Sequence, residues 1–270
     1  IGSIETVVST RKGRQMSELK RVTITGADDL VAPDRLIELS AKFPFIEWGV
    51  LVSASNVGTM RYPSRAWMSA LAAKLIDPLN PVNIAIHVQG RWLRDLMLGD
   101  KDDLIDGCGP LIRFAQRVQL NFHGGAVDWD ETDFLLALTT FPLTRGAKQF
   151  IFQIDGCQGG AILERVSRYG HGLILVPFYD LSHGAGILPE SWPDAEKSLL
   201  ALTHDLQVGY AGGLGPDNLR SQIPMIAKAA GRARFWIDIE TRVRSRSALI
   251  GSYFDLDKVR AVLEICKPFI

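Results

Sequence analysis

The residues best suited to chemistry in this chain stand just after short apolar runs. GLILVPF (172–178) is followed by Tyr179, Asp180 and a loop carrying Gly184 and Gly186. A carboxylate ahead of a flexible Gly-x-Gly segment can hold a proton over a bound substrate, its acidity weakened by partial burial. A capping or turn aspartate is the plain alternative. QVGYA (207–211) runs into Gly212 and Gly213, whose N–H groups at the entrance to a helix either favour a phosphate or simply turn the chain. FWIDI (235–239) leads to Glu240, Thr241 and Arg242, where hydroxyl, amide and guanidinium donors match phosphate oxygens. Glu240 works against an anion there, and Arg242, Arg244 and Arg246 read equally well as a solvated basic loop. After EWGVLVS (47–53), Arg61 is a candidate anchor for a substrate carboxylate, with Tyr62 or Trp67 beside an aromatic ring, while Arg65 belongs to the next helix. His87, His123 and Asp155 fall near the ends of three further runs and can face the same space, whereas His171 and His204 precede runs and read as structural.

Eight runs in all set up these positions, the others being RVTIT (21–25), NIAIHV (83–88), RVQLN (117–121) and QFIFQI (149–154). Several are apolar almost throughout, as strands covered on both faces are. Between them the spacing predicts helices over 33–42, 64–76, 91–98, 128–140, 158–169 and 191–203, with extra helix in 103–116. A seventh helix opens near Pro216 with Leu219, Ile223, Ile226 and Ala230 on one face. The last carries Leu256, Val259, Leu263 and Cys266 behind an Asp255 N-cap, which makes Cys266 a packing residue. Strand and helix units in this alternation form an open doubly wound sheet or a closed barrel, and about eight of them in about 250 residues favour a single (β/α)8 TIM barrel. The barrel spans 21–270, with 1–20 an N-terminal extension of no assigned role. Such barrels build their sites from the loops after each strand, so the residues above converge at one end.

Composition narrows the partners. Of 270 residues, 47% are hydrophobic and 22% charged, and 30 basic residues balance 30 acidic ones, so no global field attracts nucleic acid or a membrane surface. The arginines at 242–246 and the basic N-terminal arm are a slim case for nucleic acid. Cys108, Cys157 and Cys266 are odd in number and widely spaced, which fits reduced thiols and neither a disulfide framework nor a metal set. With no apolar run near 18 residues and no signal-like N-terminus, the expectation is a cytoplasmic protein with a phosphorylated small-molecule ligand, no metal and no cofactor. Oligomeric state is left open.

In this order the pieces resemble phosphoribosylanthranilate isomerase, the tryptophan-pathway (βα)8 barrel, over most of residues 21–268. TITG (23–26) stands at the family's first-strand KICG, and GVLVSASNVGTMRYPSRAW at its second-strand segment. VQLNFHG (118–124) is similar to VQLHG, YDLSHGAG to the sixth-strand aspartate loop, AGGLGPDN to the AGGLxPxN phosphate loop, and DIETRV to DxSSGV. The resemblance implies a cofactor-independent isomerase of the intramolecular oxidoreductase type, performing an Amadori rearrangement. Asp180 would be the acid, Arg61 would hold the anthranilate carboxylate, Gly184 and Gly186 would border the substrate, and Gly212, Gly213 and Thr241 would surround the phosphate, with Arg242 added on its own guanidinium chemistry where the family has a glycine. The family's cysteine base falls on Thr25, whose hydroxyl is far less acidic than a thiol near about 8.5. The base must then come from Asp155 or His123, or the barrel binds a phosphometabolite or nucleotide without turning it over.

Overall fold

The computed structural model describes residues 17–122, 129–144, 148–156, 158–170, 172–182, 185–195 and 206–270. Along the chain run β1 (Leu19–Thr25), α1 (Pro33–Lys42), β2 (Ile46–Val52), α2 (Arg65–Lys74), β3 (Asn83–Gln89), α3 (Arg91–Met97) and α4 (Asp102–Cys108). Then come β4 (Arg117–Asn121), α5 (Glu131–Thr139), β5 (Gln149–Ile154), α6 (Gly159–Ser167), β6 (Ile174–Asp180) and β7 (Gln207–Ala211). The chain finishes with α7 (Leu219–Ala230), β8 (Arg234–Ile239), β9 (Arg244–Ser247), β10 (Gly251–Phe254) and α8 (Leu256–Cys266). Strands β1 to β8 are parallel and close in sequence order, β8 pairing back onto β1, which makes the expected single (β/α)8 barrel. Outward residues such as Val22, Ile24, Ile84, Ile86 and Val88 pack with the helices in one apolar shell.

Four expectations need correction. β1 begins at Leu19, two residues inside the expected extension, because Leu19 is buried and pairs with Phe235 of β8. β6 is displaced toward Asp180, which is the last residue of the strand rather than part of a loop. α7 opens at Leu219, not near Pro216: the Asn218 side chain accepts from the Gly215 N–H and donates to the Gly213 carbonyl, fixing a turn that contains Pro216. Of the arginines after β8, Arg244 is not solvated, since it starts the β9–β10 hairpin and is buried against Asp28, whereas Arg242 and Arg246 are exposed. The helix expected over 191–203 falls largely outside the described residues.

The barrel interior is divided. On the β5, β6 and β8 side, Ile151, Val176, Phe178 and Trp236 form a small apolar cluster, with the last two rings stacked 6.2 Å apart. On the opposite side, buried Glu47 accepts from Arg117 Nε at 2.9 Å, Arg21 at 2.7 Å and Thr23 at 2.9 Å. Arg117 lies 4.3 Å over the Trp236 ring and joins the two halves. Burial alone would raise the Glu47 carboxyl, but Arg117 and Arg21 together outweigh it and hold it at about 2. Above this layer the interior opens into the site.

Candidate functional site

A cavity of about 280 Å³ sits at the C-terminal ends of the strands. The backbone makes room for it at Gly49 of β2, where an added Cβ would lie 2.1 Å from Thr25 Oγ1 and 2.7 Å from His87 Cε1. Bare backbone at that point allows two polar side chains, from β1 and β3, to share the barrel interior.

Asp238 of β8 and Asp180 of β6 line the cavity, as does Glu240 just beyond β8. Asp238 is buried, accepts the Thr25 hydroxyl at 2.7 Å, and has His87 Nδ1 3.9 Å from its other oxygen. Burial is the main force raising its carboxyl well above the usual carboxylate range, with Glu240 and Asp180 adding to it and the Thr25 bond opposing. Burial also holds His87 neutral, pushed down to about 3. Asp180 is arranged differently. One oxygen accepts the Ser182 N–H at 3.1 Å and its hydroxyl at 2.7 Å, while the other accepts the Gln153 amide at 3.3 Å. An ionised carboxylate can take all three donors.

Glu240 projects from the end of β8 onto Arg61, with which it forms a close ion pair at the cavity wall. Burial raises the Glu240 carboxyl above the usual carboxylate range, with Arg61 opposing the shift without cancelling it. Arg61 is the only non-glycine residue at positive φ (75°) among the described residues. Its N–H is held by Asp28 Oδ2 at 2.9 Å, and the same oxygen takes Arg244 at 3.2 Å. The β9–β10 hairpin therefore braces the loop after β2. Tyr62, also lining the cavity, is hydrogen-bonded to Gln89.

Gln89, Gln119, Asn121 and Gln153 give the β3–β5 side an amide lining. Gln119 donates to Asn121 at 3.0 Å, and the buried Gln119 Oε1, Gln153 Oε1 and His87 Nε2 have no partner among the described residues. Gln153 is the clearest, because its NH₂ group must face the Asp180 carboxylate.

On the β7–β8 side Gly212, Gly213, Thr241 and Arg242 line the cavity together, as does Gly186. Gly186 packs so close to Thr241 that a Cβ would lie 3.0 Å away. The Gly215 N–H is committed to Asn218, whereas the Gly213 and Leu214 N–H groups donate to no acceptor among the described residues. Arg242 reaches Asp217 at 3.5 Å across a solvent-exposed gap.

Asp180, Thr25, Arg61, Gly186, Gly212, Gly213, Thr241 and Arg242 are thus gathered at one end of the barrel, although Thr25 touches the site only through Asp238. Asp155 is buried but does not line the cavity. His123 and Gly184 lie outside the described residues. Sequence reasoning gave no role to Asp238 and missed the Arg61–Glu240 pair. The signal for Asp238 was its place in FWIDI, two residues beyond the inward Trp236 and so on the same strand face. Cys108 and Cys266 are free, buried thiols pushed up by burial to about 12, which suits packing.

These features define a (β/α)8 barrel with a polar, carboxylate-bearing cavity at the catalytic end of its class. No family model matches the sequence, and no curated protein matches it. Among solved structures, the chain is similar to a GH113 beta-1,4-mannanase at 9% identity, over 94% of this chain and 99% of that one, with a TM-score of 0.49. It is also similar to phospho-2-dehydro-3-deoxyheptonate aldolase from Thermotoga maritima at 12% identity, over 93% and 68% of the two chains, with a TM-score of 0.47. At these identities the likeness concerns the fold, and no site residue is carried over from either protein. Among the described residues no helix is long and apolar enough to cross a membrane.

Proposed function

We propose that this barrel is a cofactor-independent enzyme that transfers a proton on a phosphorylated, polyhydroxylated small molecule, with isomerisation of a sugar phosphate or phosphoribosyl compound as its reaction class. The observation that carries the reading is the contrast between two aspartates of one cavity: Asp180 surrounded by donors, and Asp238 buried with its acidity weakened. Two carboxyls in such unlike surroundings, one held by three donors and the other buried, can divide the roles of base and acid. Asp180 takes a proton from a carbon next to a carbonyl or hemiaminal centre, and Asp238 delivers one to the oxygen that gains electron density. Return of the first proton to the neighbouring carbon, while the enol hydroxyl that becomes the new carbonyl gives its proton to Asp238, completes the isomerisation and restores both carboxyls. Thr25 supports Asp238 and needs no acidity of its own.

The amide lining favours substrate hydroxyls, which can both donate and accept. The Gly213 and Leu214 N–H groups with Thr241 and Arg242 supply donors for the phosphate.

The test is incubation with pentose and hexose phosphates and phosphoribosyl amines in deuterium oxide, followed by mass spectrometry. Incorporation of solvent deuterium into one substrate is expected from the wild-type protein. Asp180→Asn and Asp238→Asn should each lower the rate by about 10²-fold or more while ligand binding persists. No incorporation with any substrate, alongside tight binding of one of them, would establish a non-catalytic binder instead.

A further inference from the structure

We infer that Glu240 sets the specificity of the cavity: it occupies Arg61 in place of a substrate carboxylate, so that the substrate group bound at this point is neutral. The inference rests on the cavity being the substrate site, and three observations converge on it. The first is that Arg61 has little freedom to turn elsewhere. A side chain with a Cβ adopts positive φ only when its surroundings impose it, and here Asp28 holds the Arg61 N–H while the buried Arg244 holds Asp28. The guanidinium is thereby presented to the cavity wall.

The second is that Glu240 comes from the rigid end of β8 and pairs with the guanidinium directly. A tethered carboxylate acts at an effective concentration that a free metabolite must overcome. The pair is not sealed away, since the Arg61 and Glu240 side chains keep 29% and 26% of their surface exposed. A ligand can therefore reach it, and finds its charge already neutralised. The third is that Asp180 lines the same cavity, so a carboxylate arriving beside Glu240 adds a further like charge to the space. A hydroxyl or amide can instead accept from Arg61 and donate to Glu240 without disturbing the pair. A phosphoribosyl substrate carrying an aryl carboxylate, which the resemblance to the isomerase family implies, is disfavoured.

Benzoate and its neutral analogue benzamide, followed by ligand-observed NMR, are suitable probes. Glu240→Gln keeps the size and removes the charge, and its benzoate affinity should rise about tenfold or more over the wild type, with benzamide unchanged. The double variant Arg61→Gln/Glu240→Gln should lose that gain. Equal benzoate affinity in wild type and Glu240→Gln overturns the inference, as does a gain that survives removal of Arg61. Thermal melting and inorganic phosphate binding report whether each variant is folded, and Glu240→Ser replaces Glu240→Gln should the latter not fold. Failure of the proton-transfer reading is separate, because it appears as absent deuterium incorporation in the wild type and leaves the benzoate comparison unaffected.

Discussion

Thr25 and Asp238 illustrate how a residue's chemistry depends on its partner. A threonine hydroxyl is a poor base, yet one donated to a buried carboxylate tunes that carboxylate. The Thr25 bond opposes the upward shift that burial imposes on Asp238. Thr25→Val should remove the opposition and raise the Asp238 carboxyl further. With Asp238 as the acid, activity is lost as pH rises through its ionisation, so the alkaline limb of the kcat/KM profile should move to higher pH. A pH–rate profile whose alkaline limb stays in place or moves to lower pH would refute the assignment. The sequence placed Thr25 at the end of its strand and Asp180 two residues beyond one that in fact includes it, but the bond from Thr25 crosses 213 positions of chain and has no local signature.

Elements impose their own limits. β2 carries Gly49 where any Cβ would collide with Thr25 and His87, and both of these belong to the site. Neither neighbour is the loose end of a long surface chain, because both are buried. Gly49→Ala should therefore cost about 1–3 kcal/mol by overpacking, read as a lower urea midpoint at unchanged m-value. A variant as stable as the wild type would show that the β1–β3 spacing relaxes freely. Strand positions were legible in the sequence because buried parallel strands are nearly continuous apolar runs. The β9–β10 hairpin was not: RSRS is polar on its face, and what makes it structural is Arg244 reaching Asp28, 216 residues away in sequence.

Across the whole molecule, the ionic half of the barrel interior sets a response to acid. His87 is held neutral, at about 3 against 6.5 for a free imidazole, so the unfolded chain binds a proton that the native state refuses. Its contribution is present above about 6.5 and is lost as pH falls toward 3. Glu47, at about 2 against 4.5, contributes above 4.5 and loses that contribution as pH falls toward 2. Asp238 and Glu240, raised rather than lowered, gain relative stability on acidification and oppose both. Between pH 6.5 and 4.5, before Glu47 titrates, His87 is the group that lowers the urea midpoint, against the opposing gain from the raised carboxyls. His87→Gln should flatten that segment, and an unchanged slope in the variant would reassign the effect. By itself, the sequence determined the alternation of strand and helix, because apolar runs and helical stripes are written locally, and a count of about eight in about 250 residues favoured the barrel over an open sheet. It also determined which end gathers the candidate groups, since they follow the strands. Only the tertiary structure decided which of those groups meet. Asp155 is buried away from the cavity, Arg244 turned inward to brace a loop, and Arg61 received a carboxylate from its own chain, because contacts across a closed barrel depend on stagger and side-chain direction that no short motif encodes.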